Sequence, residues 1–248
     1  MNKQTSLSGF AVYALLFVLP VILYISVAGH EFMKSWDDSW MVFNRHTTDG
    51  LNLQNLFAIF SETNQGQYSP INQLTYTVIY SIFGADPRAF HLASLLWHAI
   101  NVCLVFAFTK TLLGLREREN MKMVSTAAFL TALLFAVHPV NAEAVCWISA
   151  SKVPTCAMFG LSGLLCYLHY IKSGGKAWFV FSIVFFVLSF GCKEQAAALP
   201  LCFLHFVLSV ECRSHTASGF DVADNNRCRP VYLSFKRRIL YGCRMVRS

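Results

Sequence analysis

Two adjacent carboxylates stand between two tryptophans in the run Ser35-Trp36-Asp37-Asp38-Ser39-Trp40. Repulsion between neighbouring acids favours one of Asp37 and Asp38 as a general base, and the pair can also hold a divalent cation. The same run reads equally as a solvated acidic turn flanked by interfacial tryptophans. A second polar group lies in His138-Pro139-Val140-Asn141-Ala142-Glu143-Ala144-Val145-Cys146-Trp147-Ile148-Ser149. His138 and Glu143 miss the i, i+4 spacing of a zinc protease helix, which leaves hydrogen bonding to an acceptor, orientation of another acid, or the capping of helix ends. Lys152 and Lys193 point to an anionic ligand such as a phosphate, while Glu194 beside Lys193 offers a simple ion pair. His91, Ser94, His98 and Asn101 follow one another at steps of three, four and three, so a helix would carry them on one face. That face serves either as substrate contact or as a hydrogen-bonded seam between helices. The nine cysteines include no CxxC pair and no Cys/His cluster at zinc spacing, so neither a disulfide framework nor a metal site of that kind is expected.

These groups must be positioned by membrane helices. The chain is 55% hydrophobic and 13% charged, with 22 Phe and a mean hydropathy of +0.47. Soluble globular domains carry about 25% charged residues. A charge-free run from Gly9 to Gly29 is long enough to cross a hydrocarbon core of about 30 Å, and exceeds the apolar core of a signal peptide. Further apolar runs cover 89–109, 123–137, 153–171, 177–191 and 195–210. The fold class expected is therefore all-α membrane, with about six transmembrane helices and a long outer loop over 30–88. The shortest runs reach only about 24 Å and must thin the bilayer, extend into flanking residues or pack against other helices. Within the outer loop, Asn55 to Phe60 and Ile71 to Phe83 are semi-apolar and suit re-entrant or interfacial helices.

Basic residues set the orientation. Lys110, Arg116, Arg118 and Lys122 lie between the second and third runs, and Lys172 and Lys176 between the fourth and fifth. The positive-inside rule then places the N-terminus in the cytoplasm and the 30–88 loop, the 138–152 segment and the Cys192-Lys193-Glu194 corner on the opposite face. The formal charge of +7 is local: residues 1–211 hold 12 Lys and Arg against 11 Asp and Glu, while 212–248 hold 8 against 2. Two regions result, a nearly neutral membrane module over 1–211 and a basic irregular tail over 212–248, expected to be disordered or a truncated or frame-shifted end. A nucleic-acid face shared by the whole chain is excluded by that distribution.

Taken together, Trp36-Asp37-Asp38, Tyr68-x-Pro70, Phe90-His91-Leu92 with His98 and Asn101, Phe135-Ala136-Val137-His138-Pro139-Val140-x-x-Glu143-x-Val145-x-Trp147-Ile148, and Ser189-x-x-Cys192-Lys193-Glu194 with Leu199-Pro200-Leu201 resemble one family. It is the multi-pass GT-C glycosyltransferases that carry tetratricopeptide repeats, comprising the transmembrane O-mannosyltransferases and their bacterial relatives. Order and approximate spacing agree over about residues 10–210. The resemblance implies transfer of a sugar, mannose among the candidates, from a polyprenyl-phosphate or dolichyl-phosphate donor to a hydroxyl of a protein or glycan acceptor. The reaction would take place on the non-cytoplasmic face of a bacterial inner membrane or the endoplasmic reticulum. It implies a catalytic acid at Asp37 or Asp38; charge then assigns that acid as base, Lys152 or Lys193 near the donor phosphate, and His138 with Glu143 orienting the acceptor. His91, His98 and Glu194 complete the substrate-binding set. No cofactor follows beyond a divalent cation at Asp37 and Asp38. The family continues into further spans and repeats of 34 residues, so an inactive truncated member is one alternative. The other is a transporter or channel component whose path is lined by the 91–101 stripe.

Overall fold

A computed structural model of the chain describes residues 9–116 and 120–201. The chain divides into two units, Met1–Leu199 and Pro200–Ser248. Only Pro200 and Leu201 of the second lie within the described residues, so the basic tail and most of the expected sixth run lie outside them. Every regular element among the described residues is helical. They are α1 Gly9–Tyr24, continued by a 3-10 turn Ile25–Gly29; α2 Asp38–Met41; α3 Arg45–Thr48; α4 Leu53–Ser61; α5 Pro70–Phe83; α6 Pro87–Arg116; α7 Met121–Val137; α8 Val140–Cys146; a 3-10 turn Ile148–Ser151; α9 Lys152–Ser173; α10 Lys176–Cys192; and a 3-10 turn Glu194–Ala198.

Two helices are long and apolar enough to cross a membrane, Gly9–Gly29 and Pro87–Leu115. A third joins them if α7 and α8, bent by 60° at their junction, form one broken span. The six expected spans are thus met in part. The 177–191 run is α10, apolar but only 17 residues long. The 153–171 run is α9, whose 22 residues include Lys152, Ser162, His169 and Lys172 and so dilute its hydropathy. At its end the α9 helix is closed by Gly174 in the left-handed region at φ 69°, where a side chain would be strained.

α6 is the central pillar, packing against α1, α7 and α9. The approach of α7 is explained by its sequence: Val124, Ala128, Ala132 and Ala136 recur every four residues and are all buried. A stripe of small side chains at that spacing lets two backbones come close. Leu16, Val102 and Phe106 fill the rest of this core. A second cluster, Phe32, Met41, Val42, Tyr76, Phe90 and Ile148, joins the 30–88 segment to α6 and to the 3-10 turn Ile148–Ser151. It is this cluster that carries the polar residues toward one another.

α9 and α10 form a close pair. A Cβ on Gly163 would sit 3.3 Å from the Ser182 carbonyl oxygen and 3.4 Å from the Phe185 Cβ. Gly163→Leu should therefore push the helices apart and cost about 1–3 kcal/mol, the usual range for overpacking. Gly114→Leu, in open space, should not. Thermal denaturation in detergent distinguishes the two, and equal midpoints would show that the α9–α10 contact tolerates separation.

Candidate functional site

The two adjacent carboxylates have different surroundings. Asp38 is 1% exposed. One of its oxygens, Oδ2, accepts from the Met33 backbone N–H at 2.8 Å. The other, Oδ1, accepts from the Ser149 backbone N–H at 3.0 Å and from the Ser149 hydroxyl. Asp38 opens the short helix α2, so its position is set locally, but its partners come from 111 residues away. Asp37 is only partly buried, and its carboxylate accepts one bond from a described residue, the Trp40 indole N–H at 3.2 Å. Trp36 beside it is exposed and lies 5.9 Å from the ring of Trp147.

The pair is a poor cation seat. Both oxygens of Asp38 already accept from Met33 and Ser149, and Asp37 accepts from Trp40, so the two acids bond to separate partners. Among the described residues no group of three or more His, Cys, Asp or Glu side chains gathers.

Lys152, the first residue of α9, brings three other expected residues into one electrostatic group. Its ammonium donates to Gln67 Oε1 at 3.0 Å. Burial pulls its pKa below the usual lysine value and the neighbouring charge of Lys193 adds to that, while Glu194 and Asp37 act in the opposite direction. Lys152 thus feels the charge of Asp37 and of the neighbouring pair Lys193 and Glu194, all far from it in sequence. Gln67 was not marked by any motif. It closes the turn Asn64-Gln65-Gly66-Gln67, where Gln65 and Gly66 both have positive φ, and only its contact with Lys152 reveals it.

Tyr76 of α5 locks the floor of this region. It is 1% exposed, donates to the Ile148 carbonyl oxygen at 2.9 Å, and accepts from the Ser151 hydroxyl at 2.9 Å. Burial pushes its pKa up to about 12, opposed by its bonds to Ser151 and Asn72 and reinforced by Asp38. The native state then holds this proton more tightly than an unfolded chain with a tyrosine near 10, so stability falls as pH rises from about 10 toward 12. Tyr76→Phe should cost about 1–2 kcal/mol at pH 8 by leaving polar partners unmet, and should flatten the loss above pH 10. Unfolding curves at both pH values test this; an unchanged alkaline slope would rule Tyr76 out as its source.

The remaining expected residues lie elsewhere. His138 is exposed, and its Nδ1 accepts the Val140 backbone N–H at 3.2 Å at the start of α8, the capping alternative. Glu143 is exposed on α8. Asn141 donates to the Phe135 carbonyl oxygen at 2.6 Å and ties the bend between α7 and α8. The 91–101 stripe lies inside the bundle. His98 Nε2 approaches the Ala136 carbonyl oxygen of α7 at 3.4 Å, and Asn101 donates to the Pro154 carbonyl oxygen of α9 at 2.8 Å. His91 is buried beside His30, ring centroids 6.1 Å apart, with neither ring nitrogen bonded to a described residue. The stripe thus holds helices together at His98 and Asn101, the seam reading of the same spacing.

No family model matches the chain, and no solved structure matches it. Curated proteins do. It is 31% identical over 147 residues to human protein O-mannosyl-transferase TMTC4, covering 54% of this chain and 20% of that protein. Protein O-mannosyl-transferase F38B6.6 of Caenorhabditis elegans is 26% identical over 238 residues, with coverage of 92% and 32%. Protein O-mannosyl-transferase Tmtc1 of Drosophila melanogaster is 28% identical over 233 residues, with coverage of 89% and 25%. The chain spans between a fifth and a third of the length of these relatives. Similarity to protein O-mannosyl-transferases of the TMTC group thus runs along most of this helical chain with its candidate membrane spans.

Proposed function

We propose that this chain is the membrane module of a glycosyltransferase that moves a sugar, mannose by the names of its relatives, from a polyprenyl-phosphate donor to a hydroxyl of a protein acceptor on the non-cytoplasmic face. The observation that carries the reading is the half-buried carboxylate Asp37, brought to the start of α9 by the bonds of Asp38 to Ser149 and the contact of Trp36 with Trp147, three and five residues before Lys152. In a single displacement the acceptor oxygen attacks the anomeric carbon as Asp37 takes its proton, and the bond from that carbon to the phosphate oxygen breaks. The electrons leave with the polyprenyl phosphate, whose charge Lys152 and Lys193 neutralise. Glu194 offsets part of the repulsion between the two lysines when no anion is present. Asp38 is a positioning residue that holds α2 against the Ile148–Ser151 turn. His138 and Glu143, exposed at the bend of α7 and α8, are placed to meet the acceptor. Six crossings with a cytoplasmic N-terminus put all of these groups on one side.

Lys152→Gln in the full-length protein tests the donor assignment. It should raise KM for the polyprenyl-phosphate sugar about tenfold, equivalent to about 1.4 kcal/mol of donor binding, with a smaller change in kcat. Because burial holds the lysine pKa down, wild-type donor affinity should also fall with rising pH before the ordinary lysine range near 10.5 is reached. Unchanged KM and an unchanged pH profile in the variant would remove Lys152 from the donor site.

A further inference from the structure

Two contacts join the turn that carries Asp37 to the run just before Lys152. One is buried, the pair of bonds from Ser149 to Asp38. The other reaches the surface. The ring of Trp36 lies 5.9 Å from that of Trp147, centre to centre, with the planes inclined at 45°, and Trp36 is 63% exposed. That tilt departs from the offset-stacked and edge-to-face arrangements that aromatic pairs prefer. The three tryptophans around Asp37 differ in what holds them. Trp40 packs against the cluster of Phe32, Met41 and Tyr76, and its indole N–H is spent on Asp37. Trp147 is fixed by the backbone: its N–H donates to the Glu143 carbonyl oxygen at 3.0 Å, and Ile148 and Ser149 after it are bound by Tyr76 and Asp38. Its indole nitrogen is buried and meets no acceptor among the described residues, an uncommon state for a donor. Trp36 is the one whose ring is left in the open.

We propose that Trp36 and Trp147 form the seat of the transferred sugar, a hexopyranose whose apolar C–H face lies on the Trp36 ring while the Trp147 indole N–H donates to one of its hydroxyls. The inference rests on the reading of Asp37 as base and Lys152 as the cation at the donor phosphate. In a single displacement the sugar ring must lie between the base that takes the acceptor proton and the cation that receives the leaving phosphate. Trp36 precedes Asp37 in the chain, Trp147 precedes Lys152 by five residues, and the contact of their rings joins those two positions. A pyranose has two kinds of surface, C–H groups on its faces and hydroxyls around its rim, and a tryptophan pair with one open ring and one unspent donor offers a partner to each. The mobile part of the seat is the exposed Trp36 side chain, which turns against the bound sugar and uncovers the Trp147 N–H. A tryptophan that only anchored this turn at the membrane surface would need neither the second ring nor its unspent donor.

The test measures binding of two ligands to the full chain in detergent by calorimetric titration, polyprenyl-phosphate mannose and polyprenyl phosphate, which differ only in the sugar. Trp36→Ala should weaken the first about tenfold and leave the second within about twofold. Trp36→Phe, which keeps an aromatic face, should restore most of the loss. Trp147→Phe keeps the packing of the ring but removes the N–H, and should likewise weaken only the sugar-bearing ligand. Equal weakening of both ligands in the Trp36→Ala chain would mark a lipid or membrane contact and overturn the proposal, as would unchanged binding of both in the Trp36→Ala and Trp147→Phe chains. Lys152→Gln checks the underlying reading separately, since both ligands carry the phosphate and both should weaken. A parent chain that binds neither ligand would overturn the donor reading and this inference with it, whereas a parent chain that binds both equally would overturn the sugar seat alone.

Discussion

Asp37→Asn is expected to abolish sugar transfer while leaving the protein folded. A general base contributes roughly 10²–10⁴ in rate, or about 3–5 kcal/mol of barrier, and an amide cannot take the acceptor proton. The structural cost should be small because Asp37 is only partly buried and the bond its carboxylate takes from Trp40 can be accepted by an asparagine oxygen. The measurement is initial rate of transfer from a polyprenyl-phosphate sugar at saturating donor, beside a melting curve in the same detergent. Loss should appear in kcat with donor KM nearly constant, since Asp37 acts on the acceptor hydroxyl. Transfer within tenfold of wild type would sink the assignment of Asp37 as base.

Asp38→Asn should fail in the opposite way, by unfolding. The carboxylate is 1% exposed and accepts from three donors, the N–H of Met33 and the N–H and hydroxyl of Ser149. Hydrogen bonds to a charged group contribute about 1.5–3 kcal/mol each, and an asparagine would turn an NH2 group toward at least one of these donors. A loss of about 3 kcal/mol or more follows, a large part of typical protein stability. Ser149→Ala, which removes only the hydroxyl and leaves the backbone N–H, should cost about 1–2 kcal/mol. If Asp38→Asn melts like the parent yet loses transfer, then Asp38 rather than Asp37 does the chemistry, and the division of roles between them is reversed.

The helices were legible because hydropathy is a local property. The runs expected at 153–171 and 177–191 appear as Lys152–Ser173 and Lys176–Cys192. Apolar runs mark the membrane rather than the helix, which is why α6 continues past Thr109 through Lys110 to Arg116. α8 was not legible: seven residues after a His-Pro corner have no periodicity long enough to read, and the bend depends on Asn141 reaching the Phe135 carbonyl. The stripe His91, Ser94, His98 and Asn101 was correctly placed on one face, but which way that face turns depends on the small residues of α7, an element 20 or more residues away.

By itself the sequence determined that this is a helical chain with apolar runs of membrane-spanning character, where those runs lie, that its basic excess belongs to the last 37 residues, and that it is similar to protein O-mannosyl-transferases. Each of these is a sum over neighbours in the chain or a comparison of strings. Tertiary structure alone gave the two adjacent aspartates different surroundings, joined Lys152 to Gln67, and separated the buried face of α4 from its exposed apolar one. The reason is physical: Asp37 and Asp38 have identical side chains and adjacent positions, and what distinguishes them is a backbone N–H and a hydroxyl contributed by Ser149, 111 residues further along the chain.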